Sequence, residues 1–288
     1  MESTSYIGFG EAAVAFAKCL PEEVLALSGG YDIKIDTDRL DVETRFREHG
    51  LQCFDNARSA IRNADVIVSL VTADQAEAAA LSAQEMKKDT LYLDGNSCSP
   101  QTKRRNAEII SQAGGCYVDL AIMAPVKPDL RSVGLLVSGD WASQAHEYLS
   151  RLGLNSSIID GDVGAAASIK MIRSVAIKGM EAVLAECTVA GVRAGVDSEV
   201  FASLEKSFPG FGWADRSGYM LERMLTHGAR RAAEMSEVSK TIEELGMPNR
   251  MSCAAASWHA SLGSANITCA STDYRDLANL IINRIKDQ

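Results

Sequence analysis

The segment GFGEAA, residues 8–13, has the residue types and the spacing to bind an anion. Gly8, Gly10 and Ala13 form the pattern G-x-G-x-x-A between an apolar run and an alanine-rich helical stretch. The first glycine permits a tight turn, the second lets a phosphate approach the backbone, and the small third residue lets the helix pack against the strand. Free N–H groups and the positive end of the helix dipole then face the anion. The pattern predicts a turn that holds a pyrophosphate.

An acidic residue follows this turn at the distance that a dinucleotide-binding unit requires. Asp32 lies 24 residues after Gly8, where its carboxylate accepts hydrogen bonds from the adenine-side ribose and disfavours a 2′-phosphate. We therefore expect a dinucleotide, NAD in preference to NADP. Asp36 is an alternative ribose acceptor, since the end of the strand is blurred by a glycine pair, and the nearby cations Lys34 and Arg39 leave NADP open.

The composition of the chain limits the classes of molecule that it is expected to bind. The chain has 288 residues, of which 47% are apolar, enough for one large domain or two of ordinary size. The net charge of −9, without a basic cluster, argues against nucleic acid and anionic membranes as partners. No uncharged run approaches the roughly 20 residues of a membrane helix, and the start MESTSYIGFG lacks a basic, apolar signal segment. We expect a cytoplasmic protein that acts on a small molecule.

The cysteines and histidines do not suggest a metal centre. The cysteine count is odd and contains no C-x-x-C pair, which is typical of free thiols in a reducing cytosol. The four histidines are isolated, without H-x-x-x-H spacing. We predict no metal. The cysteines are Cys19, Cys53, Cys98, Cys116, Cys187, Cys253 and Cys269.

Short apolar runs alternate with helical patterns through the first 160 residues. This alternation predicts a Rossmann-type α/β domain, a parallel sheet with helices on both faces. The run at 64–72 is apolar throughout, as expected of a strand that is buried on both faces. The predicted helices cover 11–20, 74–86 and 99–114. The predicted strands lie within 5–9, 24–35, 64–72, 89–97, 116–123, 133–139 and 155–160.

The pattern changes after Gly164. Residues 165–194 contain no proline and read as one helix of about 45 Å, at 1.5 Å per residue. The rest of the chain is again helical, with short turns and no convincing strand. We predict a dinucleotide-binding domain at 1–163. An all-helical domain at 164–288 is expected to carry the substrate cleft and the dimer contacts.

Six segments together resemble the β-hydroxyacid dehydrogenase superfamily, which contains the 3-hydroxyisobutyrate and 6-phosphogluconate dehydrogenases. Within it the chain looks like a branch whose C-terminal domain has no assigned function. The segments are GFGEAA, VIVSLVTAD, YLDGNSCSPQTK, VDLAIMAPV, GAAASIKMIRS and THGARRAAEM. The resemblance covers nearly the whole chain. It implies an NAD(P)-dependent oxidoreductase that interconverts a hydroxyl and a carbonyl on a small hydroxy acid or related alcohol, and a homodimer formed through the helical domain.

The resemblance also implies where the cofactor lies. The segment LVTA follows the fourth predicted strand, where the family packs a loop on the adenosine and the nicotinamide ribose. GNSCSP matches the family's STISP-like segment, which puts Asn96 and Ser97 beside the nicotinamide and the substrate. The expected cofactor-binding residues are Gly8, Phe9, Gly10, Glu11, Ala12, Asp32, Val71, Thr72, Ala73 and Asn96.

The substrate-binding segment departs from the family. DLAIMAP matches a stretch that normally reads D-A-P-V-S-G-G and binds the substrate carboxylate through small residues. Here Met123, Ala124 and Pro125 replace Ser-Gly-Gly. This difference implies a substrate that is larger or less polar, with Ser97 and Met123 among its contacts.

GAAASIKMIRS resembles the family's G-x-x-x-K-x-x-x-N stretch, which implies that Lys170 is the catalytic general acid/base. Ser174 stands where the family has asparagine, four residues on and so on the same helix face. A lysine acts as a base only if its pKa falls toward the working pH, and desolvation and the helix dipole both favour this. Arg173 and Arg231 are expected to bind the substrate. A salt bridge is an equal alternative for Arg173, and a solvated helix face is an alternative for Arg231.

Two other functions fit the same sequence. Imine reductases share the two-domain architecture but commonly lack the lysine. The missing asparagine and the altered carboxylate segment keep that alternative open. A protein that binds a dinucleotide as a sensor or scaffold, without turnover, is the other.

Overall fold

The computed structural model describes residues 2–265, 267 and 271–286, without the side chains of residues 285 and 286. Cys269 lies outside the described residues. The chain divides into two compact units, residues 1–171 and 172–288. The helix predicted at 165–194 is continuous, so it begins in the first unit and ends in the second.

The N-terminal unit contains one eight-stranded sheet. Its strands are β1 (Thr4–Ile7), β2 (Gly29–Tyr31), β3 (Gln52–Cys53), β4 (Val66–Ser69), β5 (Leu91–Asp94), β6 (Cys116–Ile122), β7 (Leu135–Ser138) and β8 (Ser156–Ile158). They lie side by side in the order β3-β2-β1-β4-β5-β6-β7-β8. The first six strands follow the order of dinucleotide-binding folds, which confirms the predicted fold class. β7 runs antiparallel to β6, unlike the other pairs. The reason is that residues 123–134 form a short return with a single 3-10 turn, not the crossover helix that a parallel pair needs.

Helices cover both faces of the sheet. The helices are α1 (Glu11–Ala17), α2 (Glu22–Leu25), α3 (Arg39–Glu48), α4 (Ala57–Ile61), α5 (Ala76–Ser82), α6 (Pro100–Gln112) and α7 (Ala142–Arg151). Successive strand residues point to opposite faces. Val66 and Val68 therefore join a core with α1, α3 and α7, whereas Ile67 joins a second core with α4, α5 and α6.

The predicted strand at 24–35 is shorter than expected. Its first two residues, Val24 and Leu25, belong to α2 instead, because Pro21 precedes a first turn that carries two acids, a favourable helix start. β2 keeps only three residues, two of them glycine. A Cβ on Gly29 would lie 2.5 Å from the Gln52 oxygen, and one on Gly30 would lie 2.6 Å from the Tyr6 oxygen. Neighbouring backbone thus leaves no room for side chains at this position.

The described residues of the C-terminal unit form helices joined by short loops, and none of them forms a strand. Its helices are α8 (Ala165–Ala194, shared with the first unit), α9 (Asp197–Ser207), α10 (Trp213–Glu244), α11 (Arg250–Ser264) and α12 (Tyr274–Lys286). α10 and α11 cross in direct backbone contact, since a Cβ on Gly228 would lie 2.6 Å from the Gly263 Cα. Among the described helices, none is both long and apolar enough to cross a bilayer.

Candidate active site

The glycine turn lies where the strand order reverses, between β1 and β4. Gly8 follows β1 directly, has φ +81°, and donates its N–H to the Tyr31 oxygen at 2.8 Å. A Cβ at Gly8 would lie 2.6 Å from the Leu70 oxygen and 2.8 Å from Val71 Cγ1. Only glycine fits both this backbone conformation and this space. Ligands of such sheets bind at this reversal, outside the carboxyl ends of the strands.

Gly10 faces open space. It is the N-cap of α1, with φ −87° and, among the described residues, no side chain that caps the helix. A Cβ built at Gly10 meets nothing within 4 Å. Any larger residue would therefore place its side chain in front of the helix N-terminus, where backbone N–H groups attract phosphate. This open cradle fits the pyrophosphate of a dinucleotide.

The Asp32 side chain is hydrogen-bonded to the glycine turn. Its carboxylate accepts a hydrogen bond from the Phe9 N–H at 2.8 Å and another from the Lys34 N–H at 2.9 Å. The Phe9 ring is fully buried and stacks on Phe46 at 4.0 Å between ring centroids. Phe9 therefore shapes the turn, and its side chain is directed into the core. Of the two candidate acids, Asp32 adjoins the turn, whereas Asp36 is exposed in the following 3-10 turn.

Two arginines of α3, Arg39 and Arg45, form ion pairs with acids. Arg39 forms ion pairs with Glu43 at 3.0 Å and with Asp55 at 2.7 Å. Arg45 pairs with Asp41 and also donates to the Phe9 oxygen at 2.9 Å. Their charges are offset locally.

Val71 and Asn96, both predicted to contact the cofactor, contact each other. The Val71 N–H donates to Asn96 Oδ1 at 2.6 Å, and Asn96 Nδ2 donates to Ser69 Oγ at 3.0 Å. Asn96 is buried, so its side chain joins the loops after β4 and β5. Thr72 is exposed, and Ala73 begins a 3-10 turn beside it.

Lys170 and Ser97 meet within the N-terminal unit. Lys170 Nζ donates to Ser97 Oγ at 2.6 Å, and both residues are partly buried. Ser97 follows β5 on a loop, and Lys170 is in the second turn of α8. The predicted base and a predicted substrate contact are therefore within hydrogen-bond distance.

The start of α8 is anchored to the sheet. Asp119 Oδ2 accepts from the Gly164 N–H at 3.1 Å and from the Ala167 N–H at 2.9 Å, while Ser138 Oγ accepts from the Ala166 N–H at 3.1 Å. A carboxylate at a helix N-terminus offsets the dipole. The sequence argument that the dipole disfavours a charged Lys170 is therefore opposed by Asp119.

Sequence reasoning missed the buried lysine Lys103 on α6. Its Nζ lies 3.0 Å from Asp94 Oδ1 and 3.4 Å from Asp119 Oδ1, and the three side chains are 1%, 0% and 0% exposed. Burial works to lower the pKa of Lys103, but the carboxylates of Asp94 and Asp119 outweigh it and hold this pKa above its usual range. One signal was available: YLDG and VDLAIM each place an acid within an apolar strand run, where a charge needs a partner.

Met123 lies where β6 ends. Its N–H donates to the Gly134 oxygen at 3.0 Å, and its side chain is partly exposed. The two residues after it, Ala124 and Pro125, are exposed.

The remaining predicted residues belong to the C-terminal unit. Arg173 is exposed on α8. Ser174 is buried and accepts from Lys178 Nζ at 3.5 Å, and that amine also pairs with Glu234 at 2.9 Å.

Arg231 is part of a buried ion cluster. Its guanidinium is 9% exposed and pairs with both carboxylate oxygens of Glu181. His259 Nε2 lies 3.5 Å from the same carboxylate. Burial, with the neighbouring charge of Arg231, lowers the pKa of His259 to about 4. These contacts join α8, α10 and α11, so the solvated helix face considered for Arg231 does not describe it.

Comparisons with known proteins give matches in both units of the chain. Residues 23–147 match the NAD binding domain of 6-phosphogluconate dehydrogenase, and residues 192–262 match DUF1932, a domain of unknown function. A conserved hypothetical protein from Sinorhizobium meliloti 1021 is 36% identical, with 99% of this chain and 97% of that chain covered and a TM-score of 0.77.

Two more distant structures share the fold. The 3-hydroxyisobutyrate dehydrogenase of Mycobacterium tuberculosis, solved with L-serine, is 16% identical over 98% of this chain and 99% of that chain, with a TM-score of 0.74. An imine reductase variant from Myxococcus stipitatus, in complex with NAD+, is 17% identical over 98% and 99%, with a TM-score of 0.55.

The glycine turn, the strand order and the NAD-binding match together indicate a nicotinamide dinucleotide as the cofactor. The matched segments extend over both units of the chain. The chain therefore belongs to the β-hydroxyacid dehydrogenase superfamily, in the branch that joins the NAD-binding domain of the 6-phosphogluconate dehydrogenases to a C-terminal domain of unknown function.

Proposed function

We propose that this protein is an NAD-dependent oxidoreductase that interconverts a hydroxyl and a carbonyl on a small hydroxy acid or related alcohol. The observation that carries the proposal is the 2.6 Å hydrogen bond from Lys170 Nζ to Ser97 Oγ, which holds an amine at the loop after β5. When bound, the nicotinamide supplies the hydride acceptor or donor. The chain must then supply a group that moves the proton.

In this proposal Lys170 is that group. As a neutral amine it takes the proton of the substrate hydroxyl, while the carbon that carries this hydroxyl gives a hydride to the nicotinamide. In the reverse direction the ammonium returns a proton to the carbonyl oxygen. Ser97 accepts from Lys170, so its own hydroxyl hydrogen is directed to another acceptor, and a substrate oxygen is the natural one. A positioned acid/base of this kind contributes about 10²–10⁴ to the rate.

The substrate differs from the small hydroxy acids of the family. Met123, Ala124 and Pro125 stand in place of the carboxylate-binding Ser-Gly-Gly, which supports a larger or less polar substrate. We assign Arg173 and Ser174, which follow Lys170 along α8, to substrate binding and catalysis respectively. Arg231 is kept out of this assignment, since its guanidinium is already paired with Glu181.

The charges around β2 support NAD over NADP. The Asp32 carboxylate lies against the glycine turn, where it would repel a 2′-phosphate. Arg39 and Arg45, the arginines nearest in sequence, are paired with acids and so offer less attraction to that phosphate. We therefore propose NAD as the physiological cofactor.

The exposed face of α8 supports a homodimer. Ile172, Ile177, Met180 and Val183 are 50%, 42%, 38% and 54% exposed, which is unusual for large apolar side chains along one helix. A second copy that covers them would form the dimer. The described cysteines are free thiols, which supports a cytoplasmic location.

The test compares two lysine variants on a substrate panel. Hydroxy acids, aldehydes, alcohols and cyclic imines are each supplied with NAD(H) or NADP(H), and the nicotinamide absorbance is followed. We expect turnover of a hydroxyl or carbonyl substrate, reduced by about 10²-fold or more in Lys170→Met. Lys88→Met, an exposed lysine on the loop before β5, is the matched control and is expected to keep wild-type turnover.

Dinucleotide affinity is measured beside the rates. Equal NAD affinity in wild type and Lys170→Met, with the rate lost, supports the acid/base role. Turnover that survives in Lys170→Met overturns it. Dinucleotide binding without turnover of any substrate would instead make the protein a sensor or scaffold.

The second candidate is imine reduction. Ser174 at the family's asparagine position and the altered segment at Met123 favour it, since both sites depart from the hydroxy-acid pattern. Lys170 argues against it. Reduction of cyclic imines alone, undiminished in Lys170→Met, would establish this alternative.

A further inference from the structure

Four polar residues form a buried line across the sheet. Ser69 of β4 pairs in register with Asp94 of β5, Asp94 pairs with Asp119 of β6, and Asp119 pairs with Ser138 of β7. Residues paired in register share one face. All four are fully buried on the face that α6 covers. We call Ser69, Asp94, Asp119 and Ser138 the polar row.

Lys103 neutralises the centre of this row. Two carboxylates on neighbouring strands repel each other when buried, and the Lys103 amine lies within 3.0 Å of one and 3.4 Å of the other. Asp94 Oδ2 also accepts from Asn106 Nδ2 at 3.0 Å and from the Tyr117 hydroxyl at 2.8 Å. The other carboxylate, that of Asp119, faces the positive N-terminal end of α8. The row is therefore balanced by one lysine and one helix dipole.

One arm of the row leads to the loop of Ser97. Asp94 Oδ1 accepts from the Asn96 N–H at 3.0 Å, and Asn96 in turn accepts from the Val71 N–H. Lys103 also donates to the Asp94 backbone oxygen. The residue after Asn96 is Ser97, so this arm fixes the backbone that carries the hydroxyl.

The other arm leads to the helix of Lys170. Asp119 accepts from the Gly164 and Ala167 N–H groups, and Ser138 Oγ bonds both Asp119 and the Ala166 N–H. These contacts fix the first turn of α8. Lys170 is three residues beyond Ala167, so the direction of its side chain depends on how that turn is held.

We propose that Lys103 is a positioning residue, which through Asp94 and Asp119 sets the loop of Ser97 and the helix of Lys170 at hydrogen-bond distance. The amine of Lys103 does not reach the reacting atoms. It acts by holding the two arms at the same ion cluster. The inference rests on the proposed function, in which Ser97 and Lys170 act on the substrate.

Three variants separate positioning from general stabilisation. Lys103→Met removes the charge at the centre. Tyr117→Phe removes one hydrogen bond from the Asp94 arm, and Ser138→Ala removes two from the Asp119 arm. Tyr148→Phe is the matched control. The Tyr148 hydroxyl is buried and hydrogen-bonded to Thr4 Oγ1 at 2.8 Å, at the amino end of β1, whereas Gly8 follows the carboxyl end of that strand. Each of the last three changes is small enough to leave the fold intact if Lys103→Met fails to fold.

The first measurement is hydrogen exchange of single backbone amides. We expect faster exchange at Asn96 in Tyr117→Phe, at Ala166 and Ala167 in Ser138→Ala, and at all three in Lys103→Met. Each increase should be at least tenfold beyond the change explained by global stability from urea unfolding, since local openings are detected separately from global ones. Tyr148→Phe should change these amides only in step with global stability. Uniform loss of protection in every variant would overturn the proposal.

The second measurement is the division between kcat and binding. In Lys103→Met, Tyr117→Phe and Ser138→Ala, called the row variants from here on, we expect kcat to fall by about 10-fold or more. The reason is that a displacement near 1 Å between reacting groups costs up to 10²-fold in rate. NAD affinity and KM should stay within a factor of two or three. Unchanged kcat in all three row variants would overturn the proposal.

The two proposals fail in different ways. If no substrate is turned over, the proposed function fails, and hydrogen exchange alone decides whether Lys103 holds both arms. If turnover depends on Lys170 but the row variants behave like Tyr148→Phe, the function stands and the positioning role of Lys103 is wrong.

Discussion

Lys170 and Ser97 are 73 positions apart in the chain, yet the lysine Nζ lies 2.6 Å from the serine Oγ. The amine belongs to a helix that starts after β8, and the hydroxyl belongs to the loop after β5. Nothing local brings them together. Their contact is produced by the sheet, which fixes both the loop and the first turn of the helix.

This contact predicts a strong energetic coupling between the two side chains. Ser97→Ala is expected to lower kcat in the wild-type background and to have little further effect in Lys170→Met, because the amine is what directs the serine hydroxyl hydrogen toward the substrate. The interaction energy from the double-mutant cycle should reach about 1–2 kcal/mol.

The matched control for this cycle is Ser82→Ala, whose hydroxyl bonds only within its own helix at 2.7 Å among the contacts described. Its effect should add to that of Lys170→Met. Additive behaviour of Ser97→Ala as well would contradict the coupling.

The glycine turn separates a folding requirement from a binding requirement. Gly10→Ala should leave the free energy of unfolding nearly unchanged, because its Cβ faces open space at a negative φ, and yet weaken NAD binding strongly. Gly8→Ala should lose both stability and binding, since its Cβ would meet the Leu70 oxygen at 2.6 Å.

Gly50→Ala is the control for backbone strain. Gly50 has φ +70° but open space around its Cβ, so the variant should lose only about 1 kcal/mol and should bind NAD normally. Urea unfolding and NAD titration give both quantities for all three variants. Full NAD affinity in Gly10→Ala would show that the dinucleotide does not lie on this turn.

Asp32 is predicted to set the choice of cofactor. Asp32→Asn keeps an oxygen that can accept from the Phe9 N–H but removes the negative charge. We expect the ratio of NADP to NAD affinity to rise by about tenfold or more, which corresponds to about 1.4 kcal/mol. Asp36→Asn, at the exposed alternative acid, should leave the ratio unchanged. A reversed result would transfer the ribose role to Asp36.

From the burial of His259 we predict that the protein loses stability in mild acid. Burial, with the charge of Arg231, lowers the pKa of His259 from 6.5 to about 4. Between these two pH values His259 is protonated in the unfolded chain and neutral in the folded protein. The free energy of unfolding therefore falls as the pH drops from about 6.5 toward 4. The slope from this one group approaches about 1.4 kcal/mol per pH unit.

The measurement is the free energy of urea unfolding at several pH values for wild type and His259→Gln. The variant lacks the proton uptake, so the advantage of the wild type should shrink as the pH falls through this window. Curves that stay parallel from pH 7 to pH 4 would contradict the buried neutral histidine.

Much of the fold follows from local pattern. The alternation of apolar runs and helical stretches predicts seven of the eight strands in order, without the two-residue β3, and the proline-free stretch at 165–194 coincides with α8 at both ends. The reversed direction of β7 was missed, because strand direction depends on whether the connection packs as a crossover helix. The helix α2 was also missed, because its last two residues, Val24 and Leu25, were assigned to the apolar run of the predicted strand.

The turn at Gly8 and Gly10 and the acid at Asp32 are local signals, so the cofactor class could be predicted from their spacing. The sequence by itself therefore determined the dinucleotide-binding character and the order of seven of the eight strands, because backbone conformation and hydrophobic periodicity act over a few residues. Only the tertiary structure decided that Lys103 holds Asp94 and Asp119, that Asp119 caps α8, and that Lys170 reaches Ser97. These contacts join residues that are far apart in the chain, and their energies depend on burial and charge balance that exist only once the sheet has formed.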